Sequence, residues 1–213
     1  MSEKSTPSPD KERTPFFRFA RFVLAVLSPL FFPFKVHGGE RLSAEAPYLI
    51  VSNHMTMLDP LAIGMAIKRY EIRFLGKSTL RKNPVLRWIL DHLHMIPVVR
   101  HGTDMVAMRA CLKALKDGYV LGIFPEGTRK EKVMMEEVNT GAALIALRSR
   151  VRVLPAYFDR KLRPFRRTNI YVGDWIETAD LAAQGVDKAS CEALTKRIYD
   201  ATYRLKARSE AAT

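Results

Sequence analysis

The amino-acid sequence predicts an α/β fold in which helices flank a layered, mostly parallel β-sheet. Two observations lead to this prediction. Short apolar runs, each typical of a buried strand, alternate along the chain with longer stretches whose apolar residues recur at helical spacing. Turn-forming residues separate the two kinds of segment, as expected for strands joined by helical connections. The strands are predicted at 48–52, 72–75, 96–99, 120–124, 151–157 and 169–172, and the helices at 61–69, 85–92, 104–116, 140–148 and 188–206.

Boundary signals justify individual elements. The helix at 104–116 follows a Gly-Thr pair, has Asp104 in its first turn and is followed by Gly118. This is the usual punctuation of a helix in a globular protein. The C-terminal helix, 188–206, mixes charged and apolar residues, so we expect it to cover the sheet or to meet a partner.

The N-terminal region divides into a tail and an anchor. Residues 1–15 are charged and almost without large apolar side chains, so we expect them to be disordered. Residues 16–37 are the most hydrophobic segment, and their longest charge-free run, 22–34, has 13 residues. A transmembrane helix needs about 20 residues. Aromatic residues alternate with Arg18 and Arg21, which indicates an interfacial anchor with its basic groups among lipid phosphates. A signal peptide and a core helix are the alternatives to this monotopic attachment, which we expect on the cytoplasmic face of the cell membrane.

Composition narrows the class of partner. The chain has 213 residues and a formal charge of +13, which favours one domain with an anionic partner. No zinc-finger spacing or RNA-binding signature accompanies the charge, so we expect no nucleic acid and favour an acidic membrane surface. Cys111 and Cys191 lie far apart, which favours a reducing compartment. No carboxylate or cysteine joins His92, His94 and His101 at ligand spacing, so no metal is expected.

The turn after the first predicted strand carries the first candidate chemistry. His54 and Asp59 are five positions apart, which on one helix would separate them by about 140°. A strand-to-helix turn can instead bring them together, and Ser52, Asn53 and Pro60 favour such a turn. A carboxylate that faces one imidazole nitrogen leaves the other to accept a proton, so the pair is a candidate general base. The ordinary alternative is a helix start with Asp59 as the N-cap.

Three further segments follow this pair along the chain. Arg100 comes directly after the run MIPVV, FPEGTR occupies 124–129 and VLPAYF occupies 153–158. Together with HMTMLD at 54–59, they resemble the four ordered blocks of the glycerolipid acyltransferases. More narrowly, they are similar to the bacterial 1-acylglycerol-3-phosphate acyltransferases.

The resemblance covers about residues 40 to 175 and implies that 38–213 is an acyltransferase domain. It implies transfer of an acyl group from acyl-CoA or acyl carrier protein to the sn-2 hydroxyl of lysophosphatidic acid, giving phosphatidic acid in phospholipid biosynthesis. His54 would be the general base and Asp59 its partner, without a cofactor. Transfer to glycerol-3-phosphate or a lyso-aminolipid, and a non-catalytic lipid-binding module, stay open as alternatives. The chain departs from the family where the second block usually opens with glycine, because His94 stands there.

The residues predicted to bind the acceptor share a place in these blocks or beside them, and they are Lys77, Arg100, Glu126, Gly127, Thr128 and Arg129. The resemblance associates FPEGTR with the glycerol phosphate, to which Arg129 would offer a planar fork. Glu126 would hold a cation in place or accept a hydrogen bond from a glycerol hydroxyl. Arg100 would be a second phosphate clamp, and Lys77 matches a lysine often present in the family.

Three assignments concern the surroundings of the reaction. The tetrahedral oxyanion would need donors, and the backbone N–H groups of the 54–59 turn or of Gly127 are candidates. Pro155, within VLPAYF, is expected to shape the cleft, although a buried strand that ends in a turn explains the motif equally well. The stretch 148–167 has eight basic residues and one acidic residue, which suits docking on anionic lipid or on the acidic surface of an acyl carrier protein.

Overall fold

The structure, a computed structural model, describes residues 15–99, 104–125 and 140–212. It confirms an α/β fold with a mostly parallel seven-stranded sheet flanked by helices. The strands are β1 (Phe34–His37), β2 (Leu49–Ser52), β3 (Ile72–Lys77), β4 (Ile96–Val98), β5 (Val120–Ile123), β6 (Val153–Phe158) and β7 (Thr168–Val172). The α-helices are α1 (Pro15–Phe31), α2 (Asp59–Ala66), α3 (Pro84–His92), α4 (Met105–Lys116), α5 (Gly141–Ser149), α6 (Ala179–Gln184) and α7 (Lys188–Ala211). Two short 3₁₀ helices span Gly39–Ser43 and Ser78–Lys82.

Strand direction sorts the sheet into two groups. The order is β1-β7-β6-β2-β5-β3-β4, and the five strands β2 to β6 are mutually parallel. β7 is antiparallel to β6, and β1 is parallel to β7. The amino ends of β1 and β7 therefore lie at the same edge of the sheet as the carboxyl ends of β2 to β6. We call this the carboxyl edge.

The central strands send alternate side chains to two separate cores, because successive residues of a strand point to opposite faces. On one face, Leu49 and Val51 of β2 pack with residues of α4, α5, α6 and α7. On the other, Ile50 packs with Ala62 and Ile63 of α2. We call these the helix-rich face and the α2 face.

The segment predicted as an anchor, 16–37, contains two elements. Its greater part belongs to α1, but its last four residues form β1, which pairs with β7. This strand was not predicted because its four residues, although they alternate apolar and polar side chains, directly follow a long apolar run and read as its continuation. Among the described helices, none has the length and apolar content needed to cross a membrane. The predicted tail lies outside the described residues except for Pro15.

The departure from the family pattern at His94 has a backbone explanation. His94 lies two residues before β4 and adopts a positive φ of 50°, a conformation that glycine accepts without strain. It is at the amino end of β4, on the opposite edge of the sheet from the carboxyl edge. Burial and, secondarily, the positive charges of Arg73 and His92 lower the pKa of His94, although the Glu71 carboxylate lies 3.9 Å from its Nε2.

Replacing His94 should reduce the loss of stability in acid. Because its pKa is lower in the folded protein than in the unfolded chain, protonation favours unfolding, and stability falls as the pH drops below about 6.5. We expect His94→Gly and His94→Asn, which both tolerate a positive φ, to retain more free energy of unfolding than the parent between about pH 7 and about pH 5. Urea unfolding at the two pH values measures this, and equal losses in all three proteins would contradict it.

Candidate active site

The turn between β2 and α2 brings His54 and Asp59 into contact at the carboxyl edge. The imidazole Nδ1 lies 3.0 Å from Asp59 Oδ2. Asp59 is fully buried, and 16% of the His54 side chain is exposed. The pairing predicted from spacing and turn chemistry is therefore present in the structure, with the histidine at the solvent side of the pair.

Asp59 organises the whole turn. Its Oδ2 also accepts hydrogen bonds from the backbone N–H groups of Met55 (2.6 Å) and Thr56 (2.7 Å). Its Oδ1 accepts from the Thr56 hydroxyl at 2.6 Å. The residue is the first of α2, and Leu58 occupies the N-cap position, so the alternative interpretation of Asp59 as the N-cap is wrong. A carboxylate at this position also interacts favourably with the positive end of the helix dipole.

These contacts fix the protonation pattern that the imidazole needs to act as a base. A carboxylate oxygen only accepts, so Nδ1 carries the hydrogen and donates it to Asp59. Nε2 is then the nitrogen with a free lone pair. The ring is held from its other side by Phe124, with the ring centroids 4.4 Å apart.

The turn is a poorer source of oxyanion donors than the sequence suggests. The N–H groups of Met55 and Thr56 both point to Asp59, and the N–H of Leu58 donates to the Thr56 hydroxyl at 3.3 Å. These three groups are therefore occupied within the turn. The other candidate, Gly127, lies outside the described residues.

Asn53 joins the start of the turn to the end of β6. Its side-chain amide donates to the Phe158 carbonyl (3.1 Å) and accepts from the Phe158 N–H (2.8 Å). The side chain thus imitates a neighbouring strand just beyond the last backbone pair, Ser52 with Ala156. From the sequence, Asn53 was assigned only to the turn. The available signal was an amide side chain directly after a buried strand and before the candidate base, because a buried amide needs hydrogen-bond partners.

A second support for His54 comes from β3 and β5. Phe74 stacks on Phe124 with the ring centroids 5.9 Å apart, and it lies across Gly122, where an added methyl group would overlap the ring. Phe74 therefore supports Phe124, which in turn contacts His54. Sequence analysis missed this support, although a glycine inside a strand often marks close approach of another group.

The remaining predicted residues have different outcomes. Lys77 is the last residue of β3, exposed and at the carboxyl edge. Arg100 and the stretch 126–129, which holds the other predicted acceptor residues, lie outside the described residues. Pro155 lies within buried β6, where it alternates with Leu154 of the α2-face core and would meet a side chain added at Gly173. Its assignment to the cleft stays a prediction.

Histidines away from this pair have separate partners. His92 Nδ1 lies 2.7 Å from the Trp88 carbonyl oxygen, and His94 faces Glu71. Within the described ranges, no three histidine, cysteine or acidic side chains lie close enough together to hold a metal ion. His101 is outside those ranges.

Removing the Asn53 amide should weaken the fold at the active site. Asn53→Ala would leave the buried N–H and carbonyl of Phe158 without partners, for which we expect a loss of about 3 kcal/mol in the free energy of unfolding. Asn83→Ala is the matched control, because Asn83 is an exposed N-cap that accepts from the Leu86 N–H and should lose about 1 kcal/mol. Urea unfolding compares the two, and an equal or smaller loss for Asn53→Ala would contradict the bridging role.

Comparison with known proteins identifies the family of the chain. The acyltransferase family model matches residues 33–159, more than half of the chain. A 1-acyl-sn-glycerol-3-phosphate acyltransferase of Bacillus subtilis (strain 168) is 27% identical over 197 residues, which cover 89% of this chain and 98% of that protein. A chloroplastic enzyme of the same name from Arabidopsis thaliana is 28% identical over 131 residues, covering 59% of this chain but only 35% of that protein.

A solved structure shares the fold. The crystal structure of the 1-acyl-sn-glycerophosphate acyltransferase from Thermotoga maritima superimposes with a TM-score of 0.68, at 21% identity, over 92% of this chain and 80% of the other. The family match spans β1 to the end of β6 and so includes the His54–Asp59 turn. The chain belongs to the acyltransferase family.

Proposed function

We propose that this chain is a 1-acylglycerol-3-phosphate O-acyltransferase. It would move an acyl group from a thioester to the sn-2 hydroxyl of lysophosphatidic acid and so form phosphatidic acid for phospholipid biosynthesis. The observation that carries the proposal is the hydrogen bond from His54 Nδ1 to buried Asp59, which prepares Nε2 as a proton acceptor. The names of the relatives from Bacillus subtilis and Arabidopsis thaliana support the choice of acceptor.

The chemistry follows from that pair. His54 Nε2 takes the hydroxyl proton as the acceptor oxygen attacks the thioester carbonyl carbon. The tetrahedral intermediate collapses with cleavage of the carbon–sulfur bond, and the imidazolium returns its proton to the departing thiolate. Asp59 holds the imidazole in place and stabilises its positive charge between the two steps. The sequence has no G-x-S-x-G elbow to present a serine nucleophile, and we propose direct transfer from the thioester without an acyl-enzyme.

The acceptor phosphate would be held by the basic residues predicted from the sequence. Arg129 would pair with it through two parallel N–H groups, with Glu126, Gly127 and Thr128 beside it. Arg100 would add a second positive charge. Lys77 supports this arrangement because it ends β3 at the same edge of the sheet as His54.

The co-substrate is an acyl thioester of coenzyme A or of acyl carrier protein, and the proposed reaction requires no cofactor or metal. Because a thiolate is a good leaving group, a single base is sufficient for the acyl transfer. This base removes the proton from the acceptor hydroxyl and then gives it to the thiolate. The acceptor and product are both lipids, which makes the membrane surface the natural place for the reaction.

α1 supports attachment to that surface without crossing it. Its residues Phe19, Phe22, Val26 and Leu30 follow helical spacing, and each is 59–68% exposed. An unpartnered apolar stripe of this kind is typical of a helix lying in the membrane interface. Arg18 is exposed beside it and would remain at the level of the phosphates. We propose peripheral attachment on the cytoplasmic face of the cell membrane.

Removal of the candidate base should abolish transfer. We expect His54→Ala to lower kcat/KM for lysophosphatidic acid by roughly 10³-fold, because general-base catalysis contributes about 10² to 10⁴. The matched control is His92→Ala, whose side chain lies on α3 and contacts the Trp88 carbonyl, and it should keep the parent rate. The measurement is transfer from radiolabelled acyl-CoA and acyl carrier protein thioesters, tested in parallel.

The same assay decides between acceptors. Lysophosphatidic acid, glycerol-3-phosphate and a lyso-aminolipid are offered separately to the parent and to His54→Ala. If product forms only with glycerol-3-phosphate or only with the lyso-aminolipid, the proposed mechanism stands and that compound replaces lysophosphatidic acid as the acceptor. Lipid binding without His54-dependent product from any pair would contradict catalysis and favour a lipid-binding module.

The phosphate clamp makes a separate prediction. We expect Arg129→Ala to raise KM for lysophosphatidic acid by roughly 10- to 100-fold, since a charge-assisted hydrogen bond contributes about 1.5–3 kcal/mol. Arg208→Ala, on the exposed side of α7, is the matched control. Steady-state kinetics against acceptor concentration measure the change. An unaltered KM would assign phosphate recognition to other residues.

A further inference from the structure

The connection between β6 and β7, residues 159–167, exposes an aromatic side chain among basic ones. Phe165 is 72% exposed and adopts a positive φ of 59°, which is uncommon for an aromatic residue. Arg163, Arg166 and Arg167 are also exposed. The connection has five basic residues and one acidic residue, Asp159. We call this segment the basic hairpin.

The basic hairpin is held firmly in this conformation. Leu162 is buried in the core of the α2 face, and the Arg166 N–H donates to the Arg163 carbonyl at 3.3 Å. The Phe165 N–H donates to the Phe31 carbonyl at 2.8 Å, and the two rings lie 5.8 Å apart. The exposed ring is therefore displayed by a structured turn that is bonded to the end of α1.

This contact places the basic hairpin beside the end of the apolar stripe of α1. The stripe runs from Phe19 to Leu30 along the helix, and the next residue, Phe31, pairs its ring with that of Phe165. A soluble surface rarely presents so many large apolar side chains near one another without a partner. The exposed arginines border the hairpin end of this group.

The same surface lies beside the candidate active site. β7 begins at the carboxyl edge because it runs against β6, so the basic hairpin shares that edge with His54. α1 contacts α2, whose first residue is Asp59. The end of α1, the basic hairpin and the His54–Asp59 pair thus lie at one edge of the sheet.

We propose that the basic hairpin is a second membrane-contact site, in addition to α1, whose partner is an anionic bilayer. Phe165 would enter the acyl-chain boundary, while the exposed arginines bind lipid phosphates. Two contacts at the carboxyl edge would set the His54 side of the molecule against the membrane, from which a lipid acceptor arrives. This orientation rests on the proposed function, but membrane contact by the hairpin does not require catalysis.

The sequence left two partners for this basic stretch, anionic lipid and acyl carrier protein. The positive charge of the basic hairpin is compatible with either partner. The contact of Phe165 with the end of α1 favours the bilayer, because a hydrocarbon interior accepts the exposed ring and the apolar stripe at once, whereas an acidic protein surface matches only the arginines.

Depth measurement tests the contact directly. Phe165→Trp and the control Tyr203→Trp each add a tryptophan to the native Trp88 and Trp175, and the parent emission is subtracted. Tyr203 is half-exposed on α7, which covers the helix-rich face. With phosphatidylglycerol–phosphatidylcholine vesicles brominated in their acyl chains, we expect a blue shift and strong quenching for Phe165→Trp only. An unquenched Phe165→Trp signal in protein that is bound to the vesicles would overturn the proposal.

Binding measurements test the two chemical components. The double variant Arg163→Gln/Arg166→Gln should bind anionic vesicles with an affinity roughly 25-fold lower than the parent, about fivefold per arginine. Vesicle flotation measures this affinity. Phe165→Ser should weaken binding to anionic and to pure phosphatidylcholine vesicles roughly tenfold. The controls, Arg204→Gln/Arg208→Gln and Tyr203→Ser on α7, should bind as the parent does. Equal losses in variant and control would overturn the proposal.

Activity separates this proposal from the proposed function. Phe165→Ser should keep the parent rate in detergent micelles and lose rate on vesicles. A hairpin variant that binds vesicles normally but loses transfer only from acyl carrier protein thioester would overturn the membrane assignment in favour of the carrier protein. Absence of His54-dependent transfer from every acceptor would contradict the proposed function, while the quenching and flotation results would still decide the membrane contact.

Discussion

The buried carboxylate of Asp59 is the constraint on which the site depends. An ionised carboxylate is costly to bury unless its oxygens are satisfied, and Asp59 accepts from His54, from two backbone N–H groups and from a hydroxyl. One residue therefore starts α2, closes the turn and orients the imidazole. The Asn53 amide fixes the other end of the same turn to β6. The histidine is positioned by interactions that also stabilise the fold.

The antiparallel direction of β1 and β7 relative to the other five strands determines which elements lie beside this site. If β1 and β7 ran with the other five strands, α1 would end at the opposite edge of the sheet. Because they run against them, the end of α1 and the connection that carries Phe165 are at the carboxyl edge with His54. Strand direction thus places the elements that we propose to contact the membrane beside the candidate base without any long insertion.

The features that could be predicted from the sequence are those that depend on residues close together in the chain. The six predicted strands are present because buried parallel strands give continuous apolar runs, and the His54–Asp59 contact follows from spacing and turn chemistry. β1 was missed, and nothing local indicates that β7 is antiparallel to β6, since pairing partners are distant in sequence. The supports at Asn53, Phe74 and Gly122 depend on such distant contacts. The VLPAYF motif predicted a buried strand at Pro155, but a motif alone does not specify which face of the sheet each of its side chains occupies.

The central claim is that Asp59 holds His54 with its hydrogen on Nδ1 and leaves Nε2 to accept a proton. The most direct measurement is ¹⁵N NMR of the histidine-labelled protein near neutral pH, with the His54 resonances assigned by their absence in His54→Ala. We predict a protonated Nδ1 with a slowly exchanging hydrogen and an unprotonated Nε2, and loss of this preference in Asp59→Asn. A His54 imidazole with its hydrogen on Nε2, or one that is unaffected by Asp59→Asn, would contradict the claim.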